Sequence, residues 1–397
     1  MGPDYSKKNI CMVAFRPLPK FFNRLKIANA LSTHGYNINF ICPIDSDQKE
    51  IEIIDGINIL RVNSPFAKRT HYVLLLKDYL VFIVKTIRLV SKSNQDIGYS
   101  YFHIHTPPDF LVFIAVYYKI MGKSKIILDL HDMLPEAVAS NLEVNEKHII
   151  YKLAGLIEKI SIKLSDAVIC TNSYDRQIIL SRNNMDENKI FTIMNVPDLS
   201  LYRMTSANKA DFGLNDKYVI LFEGTIWKRR GLQVLIEAVN ILRNQLNIHL
   251  LVVGDGPYLD SLREMAHSMN IGPYITFTGW VDPNQLSKYV SASDLGIIPF
   301  LRTKVNERGV PNKLFEYIIH GKPVIASRLK GMNSVFDDDE IIFFEPGNPQ
   351  DLAKKIKWCF NNEDLVFETV QKARSRYEQE YNWNKMKNEL YRCYNSL

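Results

Sequence analysis

Short unbroken runs of Ile, Val, Leu and Phe alternate along the chain with longer stretches in which apolar residues return every three or four positions. Runs of the first kind suit strands buried on both faces, and the 3.6-residue period suits helices laid against them. In the first half the expected strands are Ile10 to Phe15, Asn37 to Cys42, Ile57 to Val62, Ser100 to His105, Lys125 to Leu130, Ala167 to Thr171 and Ile190 to Met194. Helices lie between them, such as Asn23 to His34, which stops at Gly35 as a C-cap should. A second series follows the turn-forming Asn195-Val196-Pro197-Asp198, with strands expected at Tyr218 to Phe222, His249 to Val253, Ile275 to Thr278, Leu295 to Pro299, Pro323 to Ala326 and Ile341 to Phe344. Such alternation predicts an α/β protein of two doubly wound, Rossmann-like domains, joined near residues 195 to 205. The expected boundaries are 1–198 and 199–372. A helical stretch, Ala373 to Tyr394, is long enough to leave the second domain, and 373–397 is expected to pack back on the first.

With 46% hydrophobic and 23% charged residues in 397, there is material for two cores, and disorder or collagen-like repetition is excluded. The five cysteines, Cys11, Cys42, Cys170, Cys359 and Cys393, are widely spaced with no C-x-x-C, which suits separate buried thiols in a reducing compartment. The opening MGPDYSKKNICMVAF holds no apolar signal core, and no run approaches the ~20 residues that span a bilayer, so a cytoplasmic protein is expected. Tyr72 to Arg88 is apolar but broken by Lys77, Asp78, Lys85 and Arg88, a pattern for a helix lying on something. The net charge of +6 is too mild to imply a nucleic acid partner. Its distribution is uneven: residues 61 to 125 hold ten basic side chains, Lys68 and Arg69 among them, against Asp78, Asp96 and Asp109. Either a solvated face or peripheral contact with an anionic membrane, on the inner face of the plasma membrane, fits that excess.

In doubly wound sheets ligands bind beyond the carboxyl ends of the strands, and the cleft between two such domains is the expected site. Neither G-x-G-x-x-G after a first strand nor G-x-x-x-x-G-K-[ST] occurs, which counts against dinucleotide dehydrogenases and P-loop enzymes. After the strand at 218, Glu223-Gly224-Thr225-Ile226-Trp227-Lys228-Arg229-Arg230-Gly231 places three cations at the entrance to the helix Gln233 to Asn244. Side-chain charge and helix dipole together would hold a diphosphate, although a solvated basic turn would look the same. Further on, the loop at Gly309 leads into Asn312-Lys313-Leu314-Phe315-Glu316, where backbone N–H groups and Lys313 could meet phosphate and Glu316 a ribose diol. In the first domain, His131 and Asp132 follow a strand, while His103 and His105 alternate on the one before and share a face. No third ligand has suggestive spacing, so packing or hydrogen bonding is expected of them and no metal site.

Taken in order, DLHDMLPE near 130, FEGTIWKRRGLQVLIEAV at 222, LLVVGDGPYLDSLR at 250, ITFTGWVDPNQLSKYVSASDLGIIPF at 275, VPNKLFEYIIHGKPVIAS at 310 and the aromatic helix around Trp383 resemble the retaining family-4 glycosyltransferases, glycosyl transferases group 1. The resemblance covers nearly the whole chain and implies the GT-B fold, an acceptor-binding first domain and a nucleotide-sugar-binding second. It implies a metal-independent hexosyl transfer from a nucleotide diphosphate-sugar, UDP favoured, to a saccharide or lipid-linked acceptor in surface polysaccharide or glycoconjugate synthesis. No cofactor is implied beyond that co-substrate. By the same resemblance Arg230 takes the diphosphate-binding position, Glu316 holds the donor ribose, His131 stands at the reacting sugar and the backbone at Val281 meets the base. Lys228, Arg229, Gly309, Asn312, Lys313 and Leu314 complete the donor side. Arg16, Arg24, His105 and Asp132 are the acceptor-side candidates. Two positions depart from the family pattern: its arginine after the strand glycine is Thr225, and its first glutamate falls on Arg308, with Glu307 one place away. Two other readings accordingly stay open, a degenerate GT-B binding subunit of a transferase complex and a sugar-nucleotide 2-epimerase.

Overall fold

Each apolar run read as a strand forms one, with ends displaced by no more than two residues. The computed structural model describes residues 8–18, 22–45, 48–64, 72–142, 144–200 and 204–397. Lys68 and Arg69 of the basic segment, and the first seven residues, lie outside the described residues. The chain forms two compact units, Met1–Asn195 with Met386–Leu397, and Val196–Lys385.

In the first unit the elements run β1 (Asn9–Ala14), α1 (Phe22–Thr33), β2 (Asn37–Pro43), β3 (Ile51–Ile54), β4 (Ile57–Val62), α2 (Tyr72–Ile97), β5 (Tyr99–His105), α3 (Phe113–Ile120), β6 (Lys125–Leu130), α4 (Leu134–Leu142), α5 (Ile149–Leu164), β7 (Ala167–Cys170), α6 (Ser173–Asn183) and β8 (Ile190–Thr192). They build one sheet of order β3-β4-β2-β1-β5-β6-β7-β8. Its strands are parallel except β3, which pairs antiparallel with β4 through Asp55-Gly56, both in the left-handed region. That hairpin went unread although an Asp-Gly turn between apolar runs is its usual signal. Val13, Ile104, Leu128 and Val168, from adjacent strands, are fully buried in the core.

The second unit runs β9 (Tyr218–Glu223), α7 (Leu232–Leu242), β10 (Ile248–Val253), α8 (Leu259–Ser268), β11 (Ile275–Gly279), α9 (Pro283–Ala292), β12 (Leu295–Ile298), α10 (Asn312–Ile319), β13 (Val324–Ser327), α11 (Lys330–Asn333), β14 (Ile342–Phe344), α12 (Pro349–Asn361) and α13 (Glu363–Arg376). Its parallel sheet has the order β11-β10-β9-β12-β13-β14. The chain reverses direction across the sheet between β11 and β12, on either side of β9, which leaves the carboxyl ends of β9 and β12 at a switch point.

The helix expected over 373 to 394 is two. A wider π-type turn at Tyr377–Tyr381 separates α13 from α14 (Trp383–Asn395). Arg374 donates to the carbonyl of Ile319 at 3.0 Å and Tyr377 packs 6.1 Å from Phe315, which keeps α13 in the second unit. The change of unit falls after Lys385 in place of the expected 372, and the first boundary after Asn195 in place of 198. On α14, Leu390, Cys393 and Tyr394 are buried in the first unit, and Tyr391 donates to the carbonyl of Ala30 while stacking 3.8 Å from His34. All five cysteines are free and buried. Among the described residues no helix is long and apolar enough to cross a membrane.

Candidate active site

Strand register assembles the first cluster. His105 on β5 lies opposite Asp129 on β6, and His131 follows two residues later. One carboxylate oxygen of Asp129, Oδ2, lies 2.9 Å from Nδ1 of His105, 3.3 Å from Nε2 of His103 and 3.4 Å from Nε2 of His131. The rings stack, His105 at 4.4 Å from His103 and 5.4 Å from His131. Tyr394 of α14 meets the far nitrogen of His103, Nδ1, at 2.8 Å. Thus the missing third partner of His103 and His105 is Asp129, which strand pairing supplies where spacing along the chain does not. The ligand atoms of these three lie within 4.8 Å of one another, a donor set that could hold a metal ion.

The electrostatics of the cluster follow from burial opposed by charge. Burial alone would push Asp129 up, but the imidazoles of His131, His103 and His105 outweigh it and hold the acid well below its ordinary range. Burial drives His131 down to about 4, with the Asp129 charge resisting and Arg24 and His103 adding to the fall. Burial likewise drives His105 well below its usual value. The product at neutral pH is an anionic Asp129 facing the neutral rings of His105 and His131, and the anion favours the tautomers that turn N–H toward it. Arg24, on α1, is buried with Nη2 3.4 Å from the carbonyl oxygen of Thr106. Burial lowers its guanidinium to about 10, which leaves it charged, and Asp129, Arg16 and Asp132 all act on it. The structure therefore brings Arg24, His105 and His131 together around Asp129, with Arg16 and Asp132 in electrostatic range.

The second cluster, in the other unit, forms at the ends of β9 and β12. Gly224 has φ +113°, and a Cβ there would stand 2.9 Å from Nζ of Lys313. Without a side chain at that position the lysine can lie against the backbone turn. Its ammonium sits 4.5 Å from the ring centre of Phe222 and 5.9 Å from that of Phe300, while the guanidinium of Arg230 lies 4.3 Å from Phe300. Two cations are so held by one aromatic ring. Burial lowers Lys313 to about 8, with the carboxylate of Glu223 opposing and Arg230 adding to the shift. Burial raises Glu316 well above its usual value, and the neighbouring Glu223, to which it is hydrogen-bonded, raises it further.

Arg229 contributes its backbone: its carbonyl accepts from the amide of Leu301 at 3.0 Å and from Nδ2 of Asn306 at 2.7 Å. Those bonds fasten the basic turn Lys228–Arg230 to the loop after β12. Gly231, with φ +74°, allows that approach, since a Cβ would fall 1.7 Å from the carbonyl oxygen of Pro299. Lys228 is exposed, Asn312 is half-buried at the start of α10 and Leu314 is buried behind the site. Gly309 is half-buried in the loop before α10; Val281 is half-buried just past β11, two strands from β9 on the same sheet. At the departing positions Thr225 is exposed, Arg308 is buried, and Glu307 pairs with Arg302 at 3.6 Å. Glu223, unassigned in the sequence, is a central member. Its signal was an acid closing an otherwise apolar strand.

Two clusters at strand carboxyl ends, one of histidines around a carboxylate and one of cations beside a carboxyl pair, mark the two α/β units as a ligand-binding protein of doubly wound architecture. Residues 25–201 match the model of Glycosyltransferase Family 4 and residues 217–362 that of Glycosyl transferases group 1. The chain belongs to the family-4 glycosyltransferases of the GT-B fold. It is 24% identical over 352 residues to the UDP-Gal:alpha-D-GlcNAc-diphosphoundecaprenol alpha-1,3-galactosyltransferase of Escherichia coli, covering 85% of this chain and 84% of that one. It is 23% identical over 265 residues to the alpha-monoglucosyldiacylglycerol synthase of Streptococcus pneumoniae, covering 64% and 56%. Among solved structures, the sucrose-phosphate synthase of Thermosynechococcus elongatus superposes with a TM-score of 0.79 at 16% identity, covering 98% and 99%. Anabaena HepE in complex with UDP-glucose superposes at 0.74 and 15% identity, covering 98% and 100%.

Proposed function

We propose that the chain is a retaining, metal-independent hexosyltransferase that uses a UDP-sugar and glycosylates a lipid-linked saccharide in surface polysaccharide or glycoconjugate synthesis. The observation that carries this reading is Lys313, seated against Gly224 and Phe222 beside Arg230 and the Glu223–Glu316 pair. Fixed cations meet the charge that develops on a departing diphosphate, and Glu316 offers hydrogen bonds to the donor ribose. Support for uridine comes from HepE, whose structure holds UDP-glucose, and from the UDP-Gal of the E. coli relative's name. That relative is named for a diphosphoundecaprenol-linked acceptor, and the pneumococcal one for a glucosylated diacylglycerol product.

In this reading the bond from the anomeric carbon to the diphosphate oxygen breaks, the acceptor oxygen bonds to the same carbon on the same face, and the acceptor proton passes to the leaving diphosphate. His131, neutral at working pH, orients the sugar by a hydrogen bond and takes no proton. The test is thermal stability with UDP, GDP and ADP, beside Glu316→Ala. A nucleotide at a hundredfold excess over Kd should stabilise by about 2.7 kcal/mol. A shift with UDP that weakens in the variant is expected; no shift with any of the three would overturn the donor assignment. Buried Arg308 at the family's glutamate position favours a second reading, a binding subunit. In that case donor turnover should stay absent until another protein is added.

A further inference from the structure

Surface helices normally turn their apolar stripe to the core and polar residues to water. Three helices of the first unit carry an apolar row on the outside. On α2, Leu76, Leu80, Val84 and Ile87 are exposed, whereas Asp78 and Thr86 are buried. On α5, Ile149, Leu153, Leu156 and Ile160 are exposed, whereas Glu158 and Ser161 are buried. Phe113, Tyr117 and Ile120 of α3 are exposed as well, Ile120 to 78%. Scattered exposed apolar residues are ordinary; rows at helical spacing on neighbouring helices are not.

The three helices share one side of the sheet. Each carries the chain toward the β8 edge between parallel strands, and right-handed crossovers in one direction place their helices on one face. They also touch: Ser91 and Tyr118 join α2 to α3 at 3.0 Å, and Lys119 donates to the carbonyl of Leu164 at the end of α5 at 2.8 Å. α1 crosses the other way and lies on the opposite face, where α14 covers it. Among the described residues the exposed charges of α2, α3 and α5 are all basic, including Lys77, Arg88 and Lys92 on α2 and Lys152, Lys159 and Lys163 on α5. Both of their described acids, Asp78 and Glu158, point inward.

We propose that this face rests on an anionic lipid bilayer, its apolar rows in the boundary between headgroups and chains and its lysines and Arg88 at lipid phosphates. Charge decides the occupant. A second copy docked through the same face would set these cations against themselves, whereas anionic lipid neutralises them. Lipid binding requires neither donor nor transfer, so it stands or falls apart from the transferase reading.

Flotation of the full chain is measured with phosphatidylcholine vesicles and with vesicles of phosphatidylcholine and phosphatidylglycerol. Two double variants run beside the parent, Leu80→Glu with Leu153→Glu, and Arg88→Glu with Lys159→Glu. All four side chains are exposed, and an unchanged melting temperature and far-UV circular dichroism spectrum verify the fold of each. The parent is expected to float with the anionic vesicles and much less with the neutral ones. Each basic residue contributes roughly fivefold to partitioning, so the charge variant should lose about twentyfold or more, and added salt should weaken the parent. The leucine variant should lose flotation altogether. The proposal is overturned if the parent fails to float with anionic vesicles or if folded variants float as well as it does. A parent dimer that Leu80→Glu with Leu153→Glu dissolves, without vesicle binding, would assign the face to self-association instead.

Discussion

The phenol oxygen of Tyr394 lies 2.8 Å from Nδ1 of His103, although 291 positions separate the two residues. Both are fully buried, and His103 passes the contact to Asp129, the carboxylate that also faces His105 and His131. The last helix therefore reaches the centre of the first unit's cluster. Tyr394→Phe leaves a buried imidazole nitrogen without its partner, which costs about 1–3 kcal/mol. A urea titration of the variant should show a lower midpoint at unchanged slope, and an unchanged midpoint would argue against the contact.

Acid should weaken the first unit in a defined window. His131 takes up its proton at about 4 when folded and near its ordinary 6.5 when unfolded. Between those values the unfolded chain binds the extra proton, so the stabilisation is complete above about 6.5 and falls away as pH drops toward 4. The loss is at most about 3 kcal/mol from this group. His105 acts in the same sense, and Asp129, held low, extends the decline to more acid pH. Urea midpoints measured from pH 7.5 to 4.5 should fall in the parent and fall less in His131→Asn.

Lys313 makes nucleotide binding sensitive to alkali. Its ammonium loses its proton at about 8 in the free protein, and a bound diphosphate restores the charge. Above that pH binding must take up a proton, so affinity should drop by up to about tenfold per pH unit. Calorimetric titration with UDP between pH 7 and 9.5 measures the slope. Lys313→Met should bind weakly throughout, with a flat profile.

Gly231→Ala should cost about 2 kcal/mol or more. The new methyl would stand 1.7 Å from the carbonyl oxygen of Pro299, in a backbone conformation with φ +74° that alanine rarely adopts. The basic turn must then lift from the loop after β12, so thermal melting and UDP affinity should both decline.

Arg182 on α6 bonds to the buried Glu136 and lies 3.6 Å from the buried Glu158. Removing it in Arg182→Met takes the cation away from two buried carboxylates, an effect of about 3 kcal/mol or more. Chemical denaturation should show the loss near neutral pH and a smaller one in mild acid, where the carboxylates can protonate.

The strands were legible because a strand buried on both faces must be apolar along its length, and little else in a sequence looks like that. Val13, Ile104 and Leu250 could hardly stand elsewhere. The edge hairpin Ile51–Ile54 was missed because Ile51 and Ile53 are exposed and Glu52 breaks the run. The cations of the second site were legible because three consecutive basic residues precede α7 and Lys313 stands in the first turn of α10. Glu223 was not, since an acid at a strand end has no distinguishing spacing until α10 brings Glu316 against it.

By itself the chain determined its class, its two sheets and the carboxyl-edge positions of its functional residues. Those depend on local period and strand order, which neighbouring residues encode. Only the tertiary structure decided which charges meet. Register on β5 and β6 brings three imidazoles to one oxygen of Asp129, the return of α14 adds Tyr394, and crossover handedness collects the outward apolar rows of α2, α3 and α5 on one face. Such contacts join residues far apart in the chain, and their energies depend on burial that no local pattern expresses.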